Sequence, residues 1–303
     1  MSLARPVVCS YALSSSVSVN APSRAVLRNE YENAEWKKWW PGTVSGPGKA
    51  GGLMTSYNYK EGSYTLSDKK TSAINLAVTF DGMDAVSTVN YVPQSLTQTD
   101  IVWTSEVATS ANPITRFSIW LKSGKLKENT GELLEKLKTF YLEPLNIYGM
   151  EVQIEHLADT LLVSTADTSA AYPTDEQINR LIAKLRNHID QYGVKETGKP
   201  MLNLTSSANR DRWLIRVGLP VAKRIPVSGD IVYKLMPPAV QMMTASVKGG
   251  QHTADKALET VGFYATDRNY KLPAIPFFSL VTDRSTEPDT TKWLTKIFYP
   301  IML

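Results

Sequence analysis

The sequence predicts an α+β protein made of two domains, and three observations support this. Its 303 residues are enough for two domains of about 100–200 residues each. The first half reads as a series of antiparallel strands followed by one long helix. The second half contains an internal repeat, in which the segment at 212–221 recurs at 292–301. We therefore place the domains at 1–148 and 149–303, with repeats at about 149–225 and 229–303.

Composition excludes several classes of protein. Hydrophobic residues make up 43% of the chain and charged residues 20%, which is typical of a globular protein rather than a disordered one. The net charge of +4 is spread without a basic block, so we expect no nucleic-acid partner. No apolar stretch is long enough to predict a membrane span in this chain. The composition is typical of a cytoplasmic protein, although localisation and a native N-terminal membrane anchor ahead of this chain stay open.

The first half alternates strand and turn signals before its long helix. Residues 7–21 predict a strand that ends at Pro22, because proline cannot donate to a ladder. Short helices are expected over 23–40, and a loop rich in glycine, serine and proline over 43–52. Further strands are expected at about 53–60, 63–67, 71–80, 84–92 and 100–108. Asp81 and Gly82 form a hairpin turn, and a long helical region follows at about 113–146.

Four segments of this half carry a recognisable pattern: residues 17–22 (VSVNAP), 35–41 (EWKKWWP), 109–117 (TSANPITRF) and 133–137 (LLEKL). In this order and spacing they resemble the START-like, polyketide-cyclase-like superfamily, often called SRPBCC. The resemblance implies a helix-grip fold, in which a curved antiparallel sheet surrounds a long C-terminal helix and leaves an apolar ligand cavity. Trp40, Trp103 and Phe117 are candidate lining residues for that cavity. The alternative is that the tryptophans simply pack the core, since aromatic residues dominate cores generally.

The repeat in the second half is clearest in its last strand. Residues 212–221 (RWLIRVGLPV) match 292–301 (KWLTKIFYPI), so that Trp213 corresponds to Trp293 and Pro220 to Pro300. The preceding segments correspond as well. They are strands at 151–166 and 231–247, a helix after the N-cap Thr174 and a second at 252–268, and strands at 200–204 and 276–280. Two β-α-β-β units of this kind predict a pseudo-twofold sheet with both helices on one face.

This tandem unit resembles the GyrI-like, effector-binding group of small-molecule-binding domains, which implies a ligand cleft between the repeats. That group usually carries a glutamate four residues before the final proline, whereas this chain has Lys296 there and Arg216 at the mate position. The group's tyrosine is also missing from residues 277–280. Because a buried cation needs a partner, such a cleft favours an anionic or neutral ligand. Candidate ligand-binding residues are Arg216, Lys296, Phe278 and Phe298. In the alternative interpretation both cations point to solvent.

No pattern in the sequence predicts catalysis, a metal or a cofactor. Cys9 is the only cysteine, the three histidines are isolated, and the nucleophile, phosphate-binding and dinucleotide motifs are absent from the sequence. We therefore expect a non-catalytic sensor or carrier whose partner is a hydrophobic or anionic small molecule. A hydrolase or cyclase, with Glu106 as a conceivable acid or base, and a membrane-tethered interaction module are the alternatives. The sequence leaves the oligomeric state undetermined.

Overall fold

The computed structural model divides the chain into two compact units, Met1–Gly149 and Met150–Leu303. It describes residues 10–32, 35–46, 55–157, 161–209, 211–236 and 240–302. Each unit combines an antiparallel sheet with a few helices, which confirms the predicted α+β class. Among the helices within these ranges, none joins the length to the apolarity that crossing a bilayer requires.

The N-terminal unit contains a seven-stranded antiparallel sheet. Its strands are β1 (Ser10–Val19), β2 (Thr43–Ser45), β3 (Ser56–Tyr59), β4 (Gly62–Lys70), β5 (Ala73–Phe80), β6 (Met83–Pro93) and β7 (Thr99–Ala108). Their order is β1-β7-β6-β5-β4-β3-β2, so the first strand in the chain pairs with the last. The β5–β6 hairpin turns at Asp81 and Gly82, both with positive φ, as the sequence predicts. The predicted strand residues 7–9, and residues 47–54 of the predicted loop and next strand, lie outside the described ranges.

The helices of this unit connect β1 to β2 and follow β7. Helix α1 (Ser23–Leu27) continues into a π-helical turn (Arg28–Glu32), and a 3-10 turn covers Glu35–Lys38. Helix α2 (Pro113–Tyr141) begins at the N-cap Asn112, whose side chain accepts from the backbone N–H of Ile114. The predicted helix over 113–146 is interrupted, and α3 (Pro144–Tyr148) is separate. The interruption falls at Pro144, which has no N–H to continue the α2 ladder.

The core of the N-terminal unit lies between the sheet and the inward side of α2. Leu133 and Leu137 of α2 are buried with Trp103 of β7 and Tyr64 of β4. The buried positions on β7 alternate, because successive strand residues point to opposite faces. The sheet and α2 therefore form one hydrophobic cluster, to which the 3-10 turn adds Trp36.

Helix α2 also contains a glycine that the structure does not require. A Cβ added to Gly131 would meet no atom within 4 Å, and the residue has an ordinary helical backbone. Gly131→Ala is therefore expected to raise the free energy of unfolding by about 0.5–1 kcal/mol, because alanine loses less backbone entropy on folding. Urea denaturation measures this change. Gly82→Ala, at a φ of 70°, should instead destabilise, and equal effects of the two substitutions would contradict the argument.

The C-terminal unit contains an eight-stranded antiparallel sheet and two long helices on one face. The strands are β8 (Gln153–His156), β9 (Leu161–Ser169), β10 (Met201–Ser206), β11 (Trp213–Pro220), β12 (Val232–Leu235), β13 (Gln241–Lys248), β14 (Phe277–Leu280) and β15 (Leu294–Ile301). The helices are α4 (Asp175–Gln191) and α5 (Gln251–Asp267), and a 3-10 turn (Thr290–Lys292) precedes β15. Thr174 caps α4 in a capping box with Gln177. Ile178 and Leu185 of α4 share one buried cluster with Ala254 and Val261 of α5.

The strand order of this sheet is β12-β9-β11-β10-β14-β15-β13-β8. The predicted single strands at 151–166 and 231–247 each prove to be two strands, and the leading strands exchange between the repeats. Strand β8 precedes β9 but pairs with β13, and β12 precedes β13 but pairs with β9. This exchange brings the edge of each repeat onto the sheet of the other.

Candidate functional site

The candidate site lies on the sheet face of the C-terminal unit that points away from α4 and α5, which we call the open face. On β11, Ile215, Val217 and Leu219 pack in the helix-side cluster. Strand alternation therefore turns Arg216 and Gly218 to the open face. The registers place Asn203 of β10 directly opposite Arg216. The open face at this point therefore carries the polar side chains of Arg216 and Asn203 beside Gly218.

A cavity of about 290 Å³ opens on this face. Its volume is close to the lower end of the range for small-molecule sites. Its side chains are mostly apolar, with three flexible methionines that can adapt to the shape of a ligand. The lining includes Leu162, Met201, Asn203, Arg216, Gly218, Lys234, Met236, Val240, Met242, Ile275 and Phe277. An apolar cavity with a few polar groups is the usual form of a ligand site.

Arg216 is fixed in this cavity by uncharged acceptors. Its Nη1 donates to Asn203 Oδ1 at 2.8 Å and to Thr205 Oγ1 at 3.2 Å. Asn203 is itself oriented, since its Nδ2 donates to the carbonyl oxygen of Pro276 at 2.8 Å. Within the described ranges no carboxylate forms an ion pair with Arg216, and its Nη2 and Nε have no hydrogen-bond partner there. Within the described ranges the positive charge of the guanidinium therefore has no counter-ion, and two of its nitrogens can donate to a ligand.

Lys234 adds a second cation to the same cavity. It lies on β12 directly opposite Leu162 of β9, and its side chain is exposed. The described lining of the cavity contains no aspartate or glutamate. The described lining of the cavity therefore has two positive groups and no negative group to balance them.

The other repeat carries a different charge at the equivalent positions. When the two repeats are aligned on their tryptophans, Met242 takes the place of Leu162. Its partner across the strands is Glu155 of β8, where Leu162 has Lys234. Glu155 Oε1 lies 2.6 Å from Lys296 Nζ. The two equivalent positions therefore differ in charge. The half with Lys296 contains a neutral ion pair, and the half with Arg216 contains two cations.

The structure separates Lys296 from Arg216, which the sequence places together in one predicted cleft. Both lie on the open face, but Lys296 is held by Glu155, with its Nζ 5.1 Å from the Phe298 ring centroid. Of these two cations, Arg216 alone lines the 290 Å³ cavity. Phe298 is buried on the open face and stacks on Phe277, with centroids 5.0 Å apart and an interplanar angle of 5°.

Phe278 also differs from the sequence interpretation. Its side chain is buried in the helix-side cluster, and its neighbour Phe277 lines the cavity instead. A shift of one residue reverses the face of a strand side chain. The short strand β14 has the sequence FFSL, in which both faces can accept an aromatic ring, so alternation alone does not decide the direction.

Lys234, Asn203 and the methionines of the cavity are not among the ligand-binding residues that the sequence predicts. Lys234 lies opposite Leu162 as Glu155 lies opposite Met242, and it has the opposite charge. The 80-residue spacing of the repeat aligns Glu155 with Leu235 instead, so this equivalence is readable only when β8 and β12 are known to exchange between repeats. Strand alternation was a signal for Asn203. It lies between Leu202 and Leu204 on β10, so its side chain faces the side opposite to theirs.

Of the three predicted site residues of the N-terminal unit, the structure brings Trp40 and Trp103 into one cluster and leaves Phe117 apart. Trp40 and Trp103 are buried in an aromatic cluster, in which Trp103 lies 6.3 Å from Trp36 and 5.6 Å from Tyr64 between ring centroids. Phe117 is instead 61% exposed on the outer side of α2, because the first turns of this helix precede its first buried residue. Phe117 therefore cannot line an interior cavity of this unit in the described arrangement.

The interior of the N-terminal unit is not purely apolar. Burial raises the pKa of the Tyr64 phenol, which stays protonated and donates to Asn129 Oδ1 at 2.7 Å. The buried atoms Trp36 Nε1, Trp103 Nε1 and Asn129 Nδ2 find no hydrogen-bond partner among the described residues. All three are donors, and a buried donor without an acceptor costs about 1–3 kcal/mol.

Comparisons with known proteins give only distant likenesses. No family model matches the chain, and the search of curated proteins finds no match. Solved structures that match include EcmrR in a complex with DNA (16% identity, TM-score 0.46, 63% of this chain and 72% of that chain). They also include SAV2435 bound to tetraphenylphosphonium (15%, TM-score 0.33, 50% and 94%). A third is a hydrolase from Listeria innocua (8%, TM-score 0.38, 50% and 92%). Because all three TM-scores are below 0.5, we base no functional statement on these likenesses.

Proposed function

We propose that this protein is a non-catalytic small-molecule-binding protein, a sensor or carrier, whose C-terminal unit takes an apolar molecule with an anionic group. The observation that carries this proposal is the pairing of Arg216 and Lys234 in one apolar cavity whose described lining holds no carboxylate. A carboxylate, sulfonate or phosphate would supply the missing charge and accept from the available guanidinium nitrogens. The methionines and Phe277 would cover its apolar part.

The asymmetry between the repeats supports the choice of an anion. If the cations were generic surface charges, no relation to the pseudo-twofold would be expected. In the half with Lys296, Glu155 already neutralises the cation at 2.6 Å. In the half with Arg216, Lys234 occupies the place of that glutamate. The half with Arg216 therefore binds an external anion where the half with Lys296 contains an internal one.

The kinds of side chain in the cavity support a binding role over a hydrolytic one. General acid–base catalysis needs a group whose pKa is near the working pH. The described lining offers arginine and lysine as its charged groups and no carboxylate, imidazole or thiol. The apolar cavity predicted around Trp40 and Trp103 in the N-terminal unit stays a prediction.

Binding of 8-anilinonaphthalene-1-sulfonate, measured by titration calorimetry on the full chain, tests the proposal. We expect saturable binding that Arg216→Met weakens about 10–100-fold, because a hydrogen bond to a charged group contributes about 1.5–3 kcal/mol. Arg216→Met combined with Lys234→Met should remove binding. The matched control is Lys296→Met, a cation of the same face already paired with Glu155, which should change affinity less than about threefold.

Two results would contradict the proposal. One is an unchanged affinity of the Arg216→Met protein for the sulfonate. The other is binding of tetraphenylphosphonium, an apolar cation, as tightly as the sulfonate by the wild-type protein. Circular dichroism of each variant separates a local loss of affinity from unfolding.

A further inference from the structure

The first turns of α2 form a helical tip that contributes almost nothing to the core. From Pro113 to Leu121 every side chain is exposed except that of Ile119, which is half-buried. The first buried residue of α2 is Ser123. We call residues 113–121 the α2 tip. Packing in the core of the N-terminal unit does not account for the large apolar side chains of the α2 tip other than Ile119, because they are exposed.

The α2 tip carries an apolar stripe on its outer side. Ile114 is 82% exposed, Phe117 61%, Trp120 57% and Leu121 48%. At 3.6 residues per turn these four positions fall within an arc of roughly 120°. The arc lies opposite the direction in which Ser123 and Leu126 point into the core. Phe117 and Trp120 stack with ring centroids 5.9 Å apart, so two large rings form one surface.

Basic side chains flank the stripe. Arg116 and Lys127 fall at one edge of the arc and Lys125 at the other, and all three are exposed. Residues 113–127 contain no aspartate or glutamate. The first acidic residue of α2 is Glu128, which lies about 10 Å beyond Leu121 along the helix axis. The whole length of the stripe is therefore without a negative side chain of this helix. Lys122 is engaged elsewhere, since its Nζ lies 3.6 Å from Asp81 Oδ2.

We propose that the α2 tip docks on an anionic lipid surface. Its apolar stripe would enter the boundary between headgroups and acyl chains, where tryptophan rings are favoured, and its cations would meet the anionic headgroups. The charge pattern selects this occupant, because a bilayer with acidic lipids offers an apolar layer directly below a negative one. Docking of the α2 tip does not depend on ligand binding by the C-terminal unit.

Co-sedimentation of the full chain with sucrose-loaded vesicles tests the proposal. We expect the wild-type protein to bind phosphatidylcholine vesicles that contain a minor fraction of phosphatidylglycerol at least tenfold more tightly than vesicles of phosphatidylcholine alone. In concentrated salt the difference should fall, because screening weakens attraction between exposed charges. Phe117→Ser combined with Trp120→Ser should lower the partition coefficient at least tenfold. Lys125→Gln combined with Lys127→Gln should reduce binding to the acidic vesicles only.

A matched control removes exposed apolar side chains elsewhere in the same unit. Val86→Ser combined with Leu96→Ser, at 61% and 58% exposure, should leave vesicle binding unchanged. Absence of vesicle binding by the wild-type protein overturns the proposal, as does binding that the Phe117 and Trp120 substitutions leave intact. If light scattering shows that these substitutions dissolve a dimer while vesicles bind nothing, the α2 tip is a contact between copies instead.

Discussion

Trp36→Ala is expected to lower the free energy of unfolding of the N-terminal unit by about 3–5 kcal/mol, the range for deleting a buried tryptophan. Trp36 is 1% exposed and touches four aromatic rings. Its ring centroid lies 5.2 Å from that of Tyr57, 5.5 Å from Trp39, 5.9 Å from Trp40 and 6.3 Å from Trp103. Alanine leaves a cavity at the centre of this cluster, and the surrounding rings relax into it only partly.

Urea unfolding followed by hydrogen exchange of peptides from 55–108 measures this effect separately from the C-terminal unit. Trp120→Ala is the matched control, since it deletes the same side chain from an exposed position and should stay within about 0.5 kcal/mol. Trp36→Phe should lose at most about 2 kcal/mol, because it keeps a ring and removes the Nε1 donor that has no described partner. Equal losses for Trp36→Ala and Trp120→Ala would show that the cluster does not stabilise the unit.

Arg284→Met should destabilise the C-terminal unit by about 2–4 kcal/mol, because two buried acceptors lose a charged donor. The buried side chain of Arg284 donates from Nη1 to Gln251 Oε1 at 2.7 Å and from Nη2 to Thr295 Oγ1 at 3.0 Å. Its guanidinium carbon lies 4.6 Å from the Trp293 ring centroid. Asp175, at the start of α4, lies 3.5 Å from Nη1. One side chain thus ties the loop after β14 to the starts of both long helices.

The control for Arg284 is Arg180→Met, which breaks another arginine–aspartate pair of the same unit. Arg180 lies 3.1 Å from Asp167 but is 67% exposed. Exposed ion pairs contribute less than about 1 kcal/mol, so this substitution should have a small effect. Hydrogen exchange of peptides from α4 and α5 in urea compares the two variants. A loss for Arg180→Met as large as that for Arg284→Met would refute the role given to burial.

Local patterns predicted most of the elements of the C-terminal unit. The spacing of apolar residues after Thr174 predicted α4, and the capping box confirms where it begins. The predicted second helix at 252–268 is observed as α5, Gln251–Asp267. The repeat of Trp213 at Trp293 correctly identified β11 and the strand region of β15 as equivalent. These signals are readable because helix and strand periodicity depend on neighbours a few residues away.

Other features depended on contacts between distant residues. The break of the predicted helix at Pro144 was readable from the sequence, but the direction of Phe278 was not, because apolar residues occupy both faces of β14. Phe117 precedes Ser123, the first buried residue of α2, and its exposure was not readable from the sequence. A pattern of apolar residues alone does not distinguish a buried stripe from an exposed one, since both have the same period.

The sequence by itself determined the two-part α+β organisation, the repeat, and the positions of Arg216 and Lys296 on equivalent strands. Only the tertiary structure decided that Lys296 is neutralised by Glu155 and that Arg216 shares a cavity with Lys234. Both arrangements follow from the pairing of β8 with β13 and of β12 with β9, strands far apart in the chain. The charge that a site presents depends on which side chains meet in space, and strand exchange sets those meetings without leaving a periodic signal in the sequence.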